Sequence, residues 1–302
     1  MDDKMKIQVA TAPVSWGVLL KDTPNVPPWS QVLDEIKAAG YTGTELGPYG
    51  YLPQDQALLQ DELDRRGLVL ISAYVQFNLV DLQARPDVYE EGMATIRFLG
   101  AMGCEWLVLS DLLLVDALRS QRAGRIRPED GLQGEAWERF IRNTNDIARQ
   151  AYNEFGLKTV FHPHVGAYIE SEAEVDRFRE DTDATLVGLC LDTAHLMYGG
   201  SDPVEVARRW GDRVRYLHIK ECDRATLEQV RANEWDYFKA VEVGVFPELG
   251  QGSVDFAGLL GVLDENGFDG WAVVEQDILP ESGIDALASA KRNREYLRHL
   301  GL

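Results

Sequence analysis

Short apolar runs alternate with stretches of helical period almost from one end of the chain to the other. The runs at residues 7–12, 43–46, 68–74, 106–110, 159–162, 188–192, 214–219 and 271–275 read as eight strands. Their Val, Ile, Leu and aromatic residues follow one another too continuously for a half-exposed sheet, as expected of parallel strands covered on both faces. The stretches between them are amphipathic. Residues 29–39 place Val32, Leu33, Ile36 and Ala39 on one helical face before Gly40 ends the helix. Residues 135–155 predict a long helix with Phe140, Ile141, Ile147 and Ala151 near one stripe. Ser171-Glu172-Ala173-Glu174 has the form of a capping box, with acid in the first turn. Gly40, Gly67 and Gly267 each stand between a helix and its following strand and read as helix C-caps.

Eight strand–helix units predict an α/β fold, a single (β/α)8 TIM barrel spanning residues 1–302. The alternative, an open doubly wound sheet, is disfavoured because no GxGxxG follows the first strand. Extra sequence at 111–134, Arg-rich and polar, and at 223–252 follows strands. In a barrel both segments overhang the C-terminal, catalytic face as lids.

Composition narrows the function. The 302 residues are 45% apolar, enough for a large core, and no run of about 18 apolar residues exists to span a membrane. Met1-Asp2-Asp3-Lys4 leads directly into a strand, unlike a secretory leader. Cys104, Cys190 and Cys222 form no CxxC pair, which points away from a disulfide framework and towards a reducing cytoplasm. A formal charge of −20 repels phosphate backbones, and no Lys/Arg cluster with interleaved aromatics offsets it, so nucleic acid is excluded as the default partner. A small-molecule substrate is the expected partner; self-association into a homo-oligomer is left open by the sequence.

Four of the five histidines lie at the ends of three successive strand segments, and a fourth segment ends in carboxylates. In a strand, side chains two apart share a face, so His162 pairs with His164, Cys190 with Asp192, and His218 with Lys220. In a barrel His162, Asp192, His218 and Glu275 converge on one mouth from four consecutive strands. Two imidazoles and two carboxylates suit a divalent ion, Mn²⁺ or Co²⁺ first, with Zn²⁺ and Fe²⁺ admissible. Singly, each group has a plainer explanation: Asp192 as a helix cap, Glu275 as an ion-pair partner. Together they are hard to explain independently. His299 lies among Arg and Leu on the last helix and reads as a surface residue.

Other strand-end groups are candidates with open alternatives. Glu45 is a catalytic candidate or a salt-bridge partner. Lys220 is a buried cation for an enolate or an ion-pair member. Trp16 covers a sugar face or packs its loop, and Gln76 and Asn78 could hydrogen-bond substrate hydroxyls.

The ordered motifs APVSWG, GTELGPYGYLP, FHPHVG, LDTAH, HIK, LGQGSVDF and VVEQD resemble the xylose-isomerase-like TIM-barrel superfamily over essentially the whole chain, and within it the inosose dehydratase branch. The resemblance implies a four-ligand metal site on His162, Asp192, His218 and Glu275. It also implies chemistry on a polyhydroxylated ketone. Ketose 3-epimerases of the superfamily usually carry Glu at the place of His162, and there two metal-bound glutamates move a proton between substrate faces. The loss of one such base disfavours epimerisation. Gly47-Pro48-Tyr49-Gly50-Tyr51-Leu52 departs from the Lys-containing loop of the dehydratase pattern.

The expected reaction begins when a base, Glu275 or His195, removes a proton next to a polarised ketone. His164 or Glu45 then protonates a leaving hydroxyl, giving dehydration. Return of the proton to carbon gives isomerisation or epimerisation instead. An apurinic-endonuclease-type phosphodiesterase would need more His and acidic ligands and a basic face. A non-catalytic sugar-binding barrel would need no metal.

Overall fold

The computed structural model describes residues 6–20, 22–279 and 282–302; the acidic start at Met1 to Lys4 lies outside them. Nine strands form one parallel sheet: β1 Ile7–Thr11, β2 Gly43–Glu45, β3 Val69–Ser72, β4 Tyr74–Phe77, β5 Trp106–Asp111, β6 Lys158–Phe161, β7 Val187–Asp192, β8 Val214–Ile219 and β9 Gly270–Val274. Their order is β3-β2-β1-β9-β8-β7-β6-β5-β4, with every pairing parallel. The third expected strand is thus two, broken at the buried Ala73. Its first half pairs with β2 and its second with β5, and the Ala73 carbonyl accepts the Val108 N–H at 3.1 Å. One bent segment therefore closes the circle, and the architecture is the expected TIM barrel.

The helices form where the apolar spacing predicts them. Trp29–Ala39 buries Val32, Leu33, Ile36 and Ala39 and ends at Gly40 with φ 91°, a left-handed position that glycine adopts without penalty. Gly134–Phe155 buries Phe140, Ile141, Ile147 and Ala151. Apolar residues divide into three sets. Ala10, Ile71, Trp106, Val108, Val160, Cys190, Tyr216 and Val273 plug the barrel interior. A larger set packs strands against helices, and a third, including Val165, Tyr198, Val230 and Phe246, lies beneath the lids.

Both extra segments are folded and latched. In the first, the wholly buried Arg119 donates to Glu174 at 2.7 and 3.0 Å and to the Ala167 carbonyl at 2.7 Å. Glu170, pushed up to about 7 by burial, accepts the N–H groups of Gly124 and Gly166 at 2.6 and 2.7 Å. The second contains helices Arg224–Ala232 and Tyr237–Glu242. Glu221, just past β8, accepts N–H groups from Cys222, Gly250, Ser253 and Val254 at 2.9–3.0 Å and so clamps the LGQGSVDF loop.

A Cβ at Gly252 would stand 2.5 Å from the pinned Glu221 carboxylate, whereas one at the exposed helical Gly261 would meet nothing within 4 Å. Gly252→Ala is therefore expected to lower stability by about 1–3 kcal/mol. Gly261→Ala should raise it by about 0.5–1 kcal/mol. Chemical denaturation of the two variants checks the pair of opposite signs.

Candidate metal centre and active site

β6 to β9 stand side by side, and their C-terminal ends deliver the cluster. In register Asp192 lies opposite His218, and His218 opposite Val273, which brings Glu275 to the next inward position. His162 follows β6, its N–H still paired to the Leu109 carbonyl at 2.8 Å before Pro163 ends the ladder. One ligating atom from each of His162, Asp192, His218 and Glu275 falls within 4.8 Å of the other three. The first three side chains are at most 2% exposed and Glu275 is 11% exposed, so the cluster opens towards the mouth on the Glu275 side.

Each member is held by the fold. Asp192 caps the short helix Thr193–Tyr198 by accepting the His195 N–H on Oδ1 at 2.8 Å. Its Oδ2 faces His162 Nε2 at 3.3 Å, Lys220 Nζ at 3.6 Å and His218 Nδ1 at 3.9 Å. His218 donates Nε2–H to Glu45 Oε1 at 3.1 Å, which turns Nδ1 towards Glu275 Oε2 at 3.3 Å. The Nδ1 atoms of His162 and His218 are buried without hydrogen-bond partners. Unpartnered imidazole nitrogens beside two carboxylates are a donor set suited to a divalent cation.

Lys220, 2% exposed, carries the opposite charge into this cluster. Its ammonium lies 2.9 Å from Glu275, 3.0 Å from Asp277 and 3.4 Å from His195 Nε2. Burial alone would discharge it, but Asp277, Glu275 and Asp192 hold its pKa well above the ordinary lysine value. Burial would likewise raise Glu275 and Asp192. His218 and Lys220 instead hold Glu275 well below the usual carboxylate range, and Lys220 and His162 lower Asp192.

His164 and His195 form a second pair beside the cluster, their ring centroids 3.8 Å apart. The His164 Nδ1–H donates to the Val165 carbonyl at 2.7 Å, which leaves the lone pair on Nε2. Burial first, then His162 and Lys220, lower His164 to about 3, and burial with His164 and Lys220 takes His195 well below its ordinary value. Both are neutral imidazoles at neutral pH.

Sequence spacing missed the groups around this pair. Tyr237, from the second lid, covers both rings at centroid distances of 5.3 and 6.0 Å and donates its hydroxyl to Asp277 Oδ2 at 2.8 Å. Phe246 stands 5.7 Å from His195, and Tyr74 sits edge-on to His162 at 5.3 Å. An alternation count would have found Tyr74, which lies two residues before Gln76 on the same strand. Nothing local marks Tyr237. Together with Leu113, Leu114, Val165, Gly166 and Phe238 it lines a cleft of about 310 Å³ between the lids.

The remaining candidates scatter. Glu45 is buried with its Oε1 accepting from Ser72 at 2.9 Å, Tyr216 at 2.8 Å and His218, so it supports the cluster from behind. Trp16 is not brought to the site: it is 3% exposed in the strand–helix core, its indole N–H donated to Glu35 at 2.7 Å. Gln76 lies near the mouth, donating to Tyr74 and to the Asp111 carbonyl, whereas the Asn78 side chain closes its own turn by accepting the Asp81 N–H. His299 is 73% exposed, as expected.

Fold and cluster together define an α/β barrel with a buried His, Asp and Glu group, suited to a divalent cation, at the C-terminal ends of its strands. The family model for the xylose isomerase-like TIM barrel matches residues 33–300, and the chain belongs to that family. It is 31% identical over 296 residues to an inosose dehydratase of Geobacillus kaustophilus (strain HTA426), covering 97% of this chain and 94% of that one. It is 33% identical over 301 residues to the rhizopine catabolism protein MocC of Rhizobium meliloti, covering 98% and 89%. Among solved structures, the IolI protein with a bound zinc atom superposes with a TM-score of 0.71 at 15% identity, covering 97% and 98%. A probable 3-DHS dehydratase, AsbF from Bacillus anthracis, superposes at 0.70 with 12% identity, covering 97% and 99%. At those identities the superpositions show a shared fold.

A testable consequence concerns His164. Its folded value near 3 lies below the unfolded reference of about 6.5. The native state then binds fewer protons than the unfolded chain between those values. The stability carried by neutral His164 is full above the upper value and is lost as pH falls towards the lower. Imidazole ¹⁵N spectra of the folded protein should show His164 as a neutral Nδ1–H tautomer at pH values where an unstructured histidine is mostly charged.

Proposed function

We propose that the protein is a metal-dependent lyase that removes water from a polyhydroxylated ketone of the inosose type, in inositol or sugar catabolism in the cytoplasm. The observation that supports this most is the convergence of His162, Asp192, His218 and Glu275 at one mouth of the barrel. Near-full-length similarity to inosose dehydratases supports the substrate class.

His162, Asp192, His218 and Glu275 would hold a divalent cation, Mn²⁺ or Co²⁺ by preference. When bound, such an ion supplies Lewis acidity that makes the C–H next to a ketone acidic. Glu275, kept ionised by His218 and Lys220 and the most open member of the cluster, takes that proton. Lys220 is cationic when the enolate forms and offsets its charge. His164 and His195 enter the reaction neutral, so neither starts with a proton to give from its lone-pair nitrogen. The leaving hydroxyl takes its proton from Lys220, water departs as the carbon–carbon double bond forms, and the proton gained by Glu275, 2.9 Å away, returns the amine to its ammonium form. His164 Nε2 accepts a substrate hydroxyl or relays a proton. Glu45 acts through His218 and is a positioning residue. Tyr237 and the lids keep bulk water from the enolate.

The decisive experiment is mass spectrometry of products from the metal-loaded protein with a panel of inososes and ketoses. A product lighter by one water is expected, whereas a product of unchanged mass would replace dehydration by isomerisation or epimerisation. Glu275→Gln and Lys220→Met should each lower kcat by roughly 10²–10⁴-fold. Glu45→Gln should weaken cation binding by roughly 10–100-fold, read by equilibrium dialysis, because it loosens the His218 tautomer.

A further inference from the structure

We propose that Cys190, His162 and His218 form a second cation position, overlapping the four-residue cluster, that takes thiophilic divalent ions such as zinc or cadmium. It rests on the metal-site reading above only in sharing the two histidines. Three observations carry it. Ligating atoms of Cys190, His162 and His218 fall within 4.8 Å of one another, a separate grouping from the one with Asp192 and Glu275. All three residues are at most 1% exposed, and the Nδ1 atoms of both histidines are buried without partners. Cys190 is a free thiol directed into the barrel interior, abutting the His218 ring.

Cys190 precedes Asp192 by two residues on the same face of β7, so its position lies about 6–7 Å deeper along the strand. Trp106, Val160 and Val273 surround this level, with the hydrogen-bonded Glu45, Ser72 and Tyr216 beside it. A thiolate with two imidazoles selects soft and borderline ions, whereas the two carboxylates at the mouth admit harder ones. Ion binding must displace the thiol proton, which passes to solvent, so occupancy releases one proton from Cys190. A histidine lone pair serves one ion at a time, so a soft ion held by Cys190 excludes a harder one from the cluster. It would also sit farther from Lys220 and Glu275. The second position therefore acts as a competitive trap for thiophilic ions.

The test is a cadmium titration of the reduced, metal-stripped protein, followed by near-ultraviolet thiolate-to-cadmium charge-transfer absorption. One equivalent should produce the band in wild type and in Glu275→Gln and none in Cys190→Ser or Cys190→Ala. A band that survives in the Cys190 variants would come from Cys104 or Cys222 and would overturn the proposal. Zinc K-edge X-ray absorption gives a second readout: one sulfur scatterer in wild type that disappears in Cys190→Ser supports the site, and no sulfur in wild type, or one that persists in the variant, overturns it. Loss of the free Mn²⁺ paramagnetic signal on adding stripped protein separates the two readings. Manganese uptake without any cadmium–thiolate band removes this inference alone, and failure to take up either ion removes both.

Discussion

The structure turns on how Lys220 is kept charged inside a barrel. An ammonium moved out of water costs several kcal/mol unless it is paired, and here Glu275, Asp277 and Asp192 surround it at 2.9, 3.0 and 3.6 Å. With His218 and His162, that cation lets Glu275 and Asp192 remain ionised at a mouth roofed by aromatic rings. It also gives His195 a hydrogen bond and, with burial, keeps His164 and His195 neutral. Alternation along β8 and the residue after it places Tyr216, His218 and Lys220 on one inward face, so hydroxyl, imidazole and cation come from one stretch of chain in order of depth.

The same stacking explains the background network. Glu45, Ser72 and Tyr216 come from three different strands, yet their polar atoms meet at one point beneath His218. A half-satisfied polar group at that depth would be costly. Because Glu45 Oε1 accepts from Ser72, Tyr216 and His218 Nε2, the ring of His218 is held in one direction. Below that level the interior is filled by Trp106, Val108 and Val160, which closes the floor to water.

Continuous apolar runs carry the fold well because every strand is covered on both faces, and strand-end polar residues then become conspicuous. His162, Asp192, His218 and Glu275 could be found that way. Ala73 could not: a strand that passes from one neighbour to another keeps the same apolar pattern, so the break is invisible until pairing is known. Trp16 misled for a related reason. An aromatic residue after a strand reads alike whether it faces substrate or the helix layer, and only Glu35, nineteen residues on, decides it. Tyr237 and Asp277 meet because a lid folds back across the mouth, a tertiary event with no local signature. The LGQGSVDF motif, read at first as a family signature, is physically a loop whose N–H groups are aimed at Glu221.

Charge balance gives His162 its meaning. Asp192 and Glu275 together match a divalent ion, Lys220 answers Asp277, and Glu45 is met by hydrogen bonds rather than by charge. A third carboxylate at position 162 would leave the centre one charge negative and would add a second base able to work on the substrate. An imidazole there keeps the donor count while removing that base. Epimerisation needs a proton taken from one face and returned to the other, whereas elimination needs one base and a donor for the leaving oxygen. Asp277 is engaged by Lys220 and Tyr237 and Asp192 by the His195 N–H, which leaves Glu275 as the most open carboxylate of the cluster, with Lys220 beside it; that pattern supports the elimination proposed above.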